Sequence, residues 1–189
     1  MNKTFITLFT LLFCLTSSVG WSLEYKDVVF RDGLYYKKFS HQPLTGKTIG
    51  RTIGSFKNGK KEGYWYKYWD NGQLSSKTHW KNNEMDGSSV YYYKSGDLQT
   101  KIFYKNGKKE GTYIYYWQHG QLKYKIKYKN DKRNGVSMEY FRNGKIFRKG
   151  KYKNGRKEGE WFTYYENEKL EYKTHYKNGE MVEDPLPQN

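Results

Sequence analysis

The chain has 189 residues, of which 35% are hydrophobic and 20% aromatic. Its apolar content is therefore mostly Tyr, Trp and Phe, too little aliphatic material for a thick globular core but suited to a thin sheet faced with rings. The net charge of +16, from 35 Lys+Arg against 19 Asp+Glu, points to anionic partners and carries no information about fold.

The first element is a targeting segment. Lys3 gives a positive start, Phe5 to Leu15 form an apolar run too short to span a bilayer, and Ser18 and Gly20 follow among small residues. Residues 1–20 read as a secretory signal peptide, so the mature protein is expected to be exported: periplasmic, envelope-associated or secreted, and not transmembrane. The single cysteine, Cys14, lies inside this segment, and Phe13 before it argues against a lipid anchor there. The mature chain then holds no thiol for a disulfide, a thiolate metal site or a nucleophile.

Residues 23–54, which include "RDGLYYKKFSHQPLTGKTIG", read as a degenerate N-terminal β cap. Residues 55–183 are repetitive, and 184–189 form a polar tail containing proline. Within the repetitive part, Gly63, Gly87, Gly111, Gly135 and Gly159 recur every 24 residues and mark units one to five. The fifth residue after each glycine is tyrosine: Tyr68, Tyr92, Tyr116, Tyr140 and Tyr164. The sixth is aromatic (Trp69, Tyr93, Trp117, Phe141, Tyr165), the eleventh is Leu or Ile, and the fourteenth is lysine: Lys77, Lys101, Lys125, Lys149 and Lys173.

Each unit holds two turn signals, one at Asn58-Gly59 and its counterparts, the other at Asn71-Gly72 and its counterparts. Asn-Gly favours two-residue hairpin loops because both central residues need positive φ. The stretches between, such as "TYIYYW" and "QLKYKIKY", are rich in β-formers and free of proline. Each unit is therefore predicted to be a β-hairpin. With two-residue turns throughout, Trp69 stands opposite Leu74 and Tyr66 opposite Lys77. One face then carries Trp65, Trp69, Leu74 and Trp80 and is expected to be buried; the other carries Tyr66, Tyr68 and Lys77.

The second face is the candidate binding site. Lys77, Lys101, Lys125, Lys149 and Lys173 would form a row with about 10 Å between neighbours, beside Tyr68, Tyr92, Tyr116, Tyr140 and Tyr164. Such a ladder suits an acidic protein or an anionic envelope surface, lipid headgroup or acidic glycan, and export disfavours nucleic acid. The plainer reading is that lysine stems cover tyrosine rings and keep the sheet soluble. Other motifs carry no chemistry. "GSFKNGKK" imitates a phosphate loop but has Lys61 where Ser or Thr belongs and no helix after it. His79 and His175 share a column that Phe103, Lys127 and Lys151 fill elsewhere, and His41 and His119 stand alone, so no metal set is expected. Glu62, Asp86, Glu110 and Glu158 recur beside lysine-rich turns and read as local charge balance. No cofactor and no enzymatic activity are expected.

The stretch "YKNGKKEGTYIYYWQHGQLKYKIKYKNDKRNG" resembles the bacterial variant of the MORN repeat, of the kind found in YwqK-family antitoxin-like proteins, over residues 55–181. The resemblance implies an elongated antiparallel sheet used for binding without catalysis. The expected fold is all-β: a single elongated antiparallel β-meander, a MORN-type repeat solenoid of 24-residue hairpin units. The expected function is an exported β-repeat binding or scaffold protein acting on a protein or an anionic envelope surface. An antitoxin- or immunity-like protein that neutralises a cognate toxin by binding, and a structural envelope spacer, are the other two readings.

Overall fold

The computed structural model describes residues 23–183; residues 1–20, read above as a signal peptide and holding Cys14, and the tail at 184–189 lie outside them. Strands β1 (Leu23–Glu24), β2 (Val28–Arg31), β3 (Leu34–Lys37), β4 (Gly46–Ile49), β5 (Thr52–Lys57) and β6 (Lys60–Tyr68) open the fold. They are followed by β7 (Leu74–Lys81), β8 (Glu84–Tyr92), β9 (Leu98–Lys105), β10 (Lys108–Tyr116) and β11 (Leu122–Lys129). The chain continues with β12 (Lys132–Tyr140), β13 (Ile146–Lys153), β14 (Arg156–Tyr164), β15 (Leu170–Lys177) and β16 (Glu180–Glu183). From β4 to β16 consecutive strands pair antiparallel in sequence order; β1 adds parallel beside β4, completing a 14-stranded sheet, and β2–β3 form a separate hairpin. The protein is thus one long antiparallel meander, and each strand of it packs chiefly on its sequence neighbours. Among the described residues, no helix is long and apolar enough to cross a membrane.

The two turn signals give two different loops. Asn58 and Gly59 have φ of 49° and 73°, and the same left-handed pair recurs at Asn106/Gly107, Asn154/Gly155 and Asn178/Gly179. These are two-residue loops whose twist matches the strands. Where glycine is absent, Asn83 and Asp131 take its place at φ 70° and 65°, and both residue types tolerate this region. Each of their side chains also accepts a hydrogen bond from the preceding unit, from Lys61 N–H at 2.6 Å and Lys109 N–H at 2.8 Å.

The recurring acidic column has a specific job at these loops. Glu62, Asp86, Glu110 and Glu158 each accept a hydrogen bond from the first N–H of the next unit's loop (Asn82, Asn106, Asn130, Asn178) at 2.9–3.0 Å, and Asn134 does the same for Asn154. Stitching of unit to unit, rather than charge balance, explains this column.

The other loops hold three residues. Trp69 N–H donates to Gln73 O at 2.7 Å, Gly72 N–H donates to Trp69 O at 3.0 Å, and in this loop only Gly72 has positive φ, 84°. This is a type I turn followed by a left-handed residue, a glycine in units one to four and Glu168 in unit five. The extra loop residue shifts the pairing by one and a bulge in the returning strand shifts it back, so Tyr66 stands opposite Lys77 as expected but Tyr68, not Trp69, stands opposite Leu74. The expected face of Trp65, Trp69, Leu74 and Trp80 is corrected accordingly. Trp65, 2% exposed, and the half-buried Trp80 share a face, Leu74 lies with Tyr68 on the other, and Trp69 sits at the loop, 39% exposed.

The core is thin and lies on the Trp65 face: Phe56, Trp65, Ile102, Ile126 and Trp161, interleaved with buried Thr78, Ser89, Thr100, Ser137, Thr163 and Thr174. Two glycines make it possible. A Cβ on Gly54 would lie 2.1 Å from the Trp65 ring, and one on Gly150 would lie 2.3 Å from the Trp161 ring, so both indoles lie flat on bare backbone. The β2–β3 hairpin covers this face at unit one. Tyr35 N–H donates to Gly59 O at 2.7 Å, Gly59 N–H to Leu44 O at 2.7 Å, and Asn83 Nδ2 to Gly33 O at 3.1 Å.

Candidate functional site: two faces of the sheet

The meander places Lys77, Lys101, Lys125, Lys149 and Lys173 at mid-strand on one face, on β7, β9, β11, β13 and β15. The intervening strands put a second column opposite them. Tyr66 and Val90 flank Lys77, Val90 and Ile114 flank Lys101, Ile114 and Met138 flank Lys125, and Met138 and Phe162 flank Lys149. Lysine and apolar residue therefore alternate strand by strand across the sheet, with the stems lying along apolar surface. Lys77 Nζ lies 4.6 Å from the Tyr64 ring centre, and Lys149 Nζ lies 5.3 Å from both Phe162 and Tyr164. Lys173 forms an ion pair with Glu160, while Lys101 and Lys125 are exposed.

The five tyrosines are placed differently. Tyr68, Tyr92, Tyr116, Tyr140 and Tyr164 stand opposite Leu74, Leu98, Leu122, Ile146 and Leu170, near the three-residue loops. Of the expected lysine–tyrosine neighbours, Lys149 and Tyr164 are brought into cation–π range. The lysines' principal neighbours are instead Tyr66, Val90, Ile114, Met138 and Phe162. The sequence places Tyr66 opposite Lys77 on this face, but the column is absent from the candidate ladder because its residue type changes in every unit; its constant position three after the glycine is the available signal.

The opposite face holds a groove that the sequence did not single out. It has a volume of about 470 Å³ and crosses units three to five, where Lys109, Arg133 and Lys157 form a basic row beside Tyr128 and Tyr152. Tyr113 and Trp161 stand on either side of Ser137, and that small side chain leaves the hollow between them. Lys109 Nζ lies 5.3 Å from the Tyr128 ring, and the Arg133 guanidinium lies 5.2 Å from Tyr152 and donates to its hydroxyl at 3.0 Å. Lys157 Nζ lies 4.3 Å from the Tyr176 ring and donates to its hydroxyl at 3.1 Å. The Tyr128 hydroxyl, and after it Tyr152, hold the Arg133 guanidinium above its ordinary pKa, so it stays charged. Desolvation raises the Tyr113 and Tyr124 hydroxyls, so both remain neutral donors. The one carboxylate of the groove, Glu139, is engaged by Arg148 at 2.9 Å. The arrangement can therefore hold an anionic group against aromatic rings.

At unit one the same face is closed. Lys61 is 8% exposed and has four rings around it: Tyr25, Tyr35, Trp65 and Trp80, at 4.6–5.6 Å. Burial, with Lys67 adding repulsion, lowers its pKa to about 8. Burial, with Tyr25 next to it, raises the Tyr35 hydroxyl to about 12.

A family model described as the MORN repeat variant matches five successive stretches: residues 61–82, 85–106, 109–130, 133–154 and 157–178. Each stretch begins two residues before a unit's glycine, at the column occupied by Lys61, Met85, Lys109, Arg133 and Lys157. No curated protein matches the chain.

Proposed function

The chain belongs to the MORN repeat variant family, whose repeats suggest a scaffold or binding protein, and on that premise we propose an exported, non-enzymatic binding protein whose lysine face lies against an anionic envelope surface, lipid headgroup or acidic glycan. The observation that carries this reading is the alternation of Lys77, Lys101, Lys125, Lys149 and Lys173 with an apolar column on one open face. A flat row of cations gains from each anionic group it meets, and the apolar column between suits an interface where acyl chains or sugar rings approach.

The test compares two triple variants of equal net charge. Reversal of Lys77, Lys125 and Lys149 to Glu is expected to weaken binding to phosphatidylserine vesicles by at least roughly 100-fold, the loss of three surface lysines at about 1 kcal/mol each before the added repulsion. Reversal of Lys60, Lys108 and Lys132, beside the two-residue loops, is expected to weaken it far less. Equal losses would reduce the lysine row to a solubilising face.

A further inference from the structure

Units one and five carry two copies of one site. Gly54, Phe56, Lys61, Trp65 and Trp80 correspond to Gly150, Tyr152, Lys157, Trp161 and Tyr176, each 96 residues further on. The geometry is duplicated as well as the sequence. Phe56 meets Trp65 edge-on at 4.8 Å and 77°, and Tyr152 meets Trp161 at 5.0 Å and 81°. Lys61 Nζ lies 4.7 Å from Trp65 and 4.6 Å from Trp80; Lys157 Nζ lies 4.8 Å from Trp161 and 4.3 Å from Tyr176.

The two copies differ in what lies on them. The first is filled by the chain's own N-terminal segment: Tyr35 packs on Phe56 at 4.9 Å, Tyr25 meets Trp65 edge-on at 5.8 Å, and both rings sit over Lys61 Nζ. Phe56 is thereby left 3% exposed. In the second copy Tyr152 and Lys157 are only half-buried and line the open groove. The protein itself thus displays what this cluster accepts: tyrosine rings, Tyr35 carried on the extended strand β3 and Tyr25 on the single 3-10 turn Tyr25–Asp27. Charge supplies the rest. Lys109, Arg133 and Lys157 point three cations at the groove, none of them in an ion pair among the described residues, and Glu139 is already held by Arg148.

We propose that the groove of units three to five binds an extended, acidic, tyrosine-bearing segment of a partner protein, with a tyrosine on Tyr152 and Lys157 as Tyr35 and Tyr25 lie on Phe56 and Lys61. The five strands β10 to β14 span about 20 Å, which an extended segment of roughly six residues crosses. Aromatic anchors beside cations provide the affinity, and carboxylates on Lys109 and Arg133 provide the orientation. The site lies on the face opposite the lysine row, so the chain could hold a partner while resting on an anionic surface, and the two sites stand or fall separately.

The chain's own segment supplies the probe. A labelled synthetic peptide of residues 23–37 with K26E and K37E, titrated against the full chain by fluorescence anisotropy, is expected to bind about tenfold more tightly than the unsubstituted peptide, with affinity falling as salt is added. Tyr152→Ala and Arg133→Glu are each expected to weaken it about tenfold or more, while Lys101→Glu on the opposite face leaves it unchanged. Arg133 is exposed, so its variant separates lost binding from lost folding, which a thermal melt confirms. Binding indifferent to both groove variants, or tighter binding of the unsubstituted peptide, overturns the proposal. Self-association of the full chain that Tyr152→Ala abolishes would make the occupant a second copy and overturn the acidic-partner assignment. Failure of the vesicle experiment leaves this result untouched.

Discussion

The end units and the middle units fill the same place in different ways. Where β-strands meet beside each unit's glycine, units one and five set a tryptophan on a glycine: Trp65 on Gly54 and Trp161 on Gly150. The units between set smaller pairs there, Ser89 against Thr78 and Ser137 against Ile126. In the smallest of these pairs, Trp80 reaches in, its indole N–H donating to Thr78 Oγ1 at 2.7 Å. The lesson is that the backbone repeats while the volume is shared out locally, so a ring is gained only where the facing residue gives up its Cβ. The open groove at Ser137 follows from that division, and at unit one the N-terminal segment closes the face as well.

The largest test of this comparison removes the rings. Trp65→Ala and Trp161→Ala are each expected to cost about 3–5 kcal/mol in urea melts. The loss should be greater for Trp65, because Tyr25 of the N-terminal segment also rests on it. A smaller loss at Trp65 than at Trp161 would break the account of unit one as the covered end.

Next in size is the converse change. Gly150→Ala is expected to cost about 1–3 kcal/mol by displacing the Trp161 ring. The paired change Gly150→Ile with Trp161→Ser, which copies Ile126 and Ser137 of unit four, should be less destabilising than the sum of its single changes. Strict additivity in that double-mutant cycle would show that the two positions do not share volume.

A third test uses pH at the closed end. Lys61 has a folded pKa of about 8 against an ordinary 10.5, so between these values the unfolded chain binds more protons, and stability should rise with pH. Tyr35 has a folded pKa of about 12 against 10.0, so above pH 10 the unfolded chain releases its proton first and stability should fall. The urea midpoint is therefore expected to climb from about pH 8 to a maximum near 10. The gain is on the order of 1–2 kcal/mol, because the four rings around Lys61 favour its charged form and offset part of the burial. In Lys61→Met this climb should vanish, and its survival there would assign it to another group.

The smallest effect lies in the loops. Gly72, Gly96, Gly120 and Gly144 hold the left-handed position in units one to four, but Glu168 holds it in unit five at φ 67°. Glu168→Gly is expected to stabilise the chain by up to about 1 kcal/mol, less the small contribution of the exposed Lys145–Glu168 pair. Differential scanning calorimetry on this variant, with Gly144→Ala as the reverse change, would detect it.

Much of this molecule was legible in its letters, and the reason is that its governing interactions are short in sequence. Tandem columns of aromatic residue, Asn-Gly and lysine specify hairpins stacked on their neighbours, and the two-residue loops follow from the left-handed geometry that Asn and Gly accept. Asn71-Gly72 reads as a two-residue turn from sequence, yet the dipeptide serves a three-residue loop in which only the glycine is left-handed. That one residue moved Leu74 to the tyrosine face and Trp69 to the rim, and with them the neighbours of the lysine row.

By itself, then, the sequence determined the period, the all-β meander and the position of the lysines, since each depends on residues within one hairpin or the next. Only the tertiary structure decided which residues meet across the bulges, that Gly54 and Gly150 serve as seats for Trp65 and Trp161, and that the segment around Tyr25 and Tyr35 closes unit one while its copy in unit five stays open. Those outcomes rest on contacts between side chains far apart in the chain and on the volume left between them, which no local propensity records.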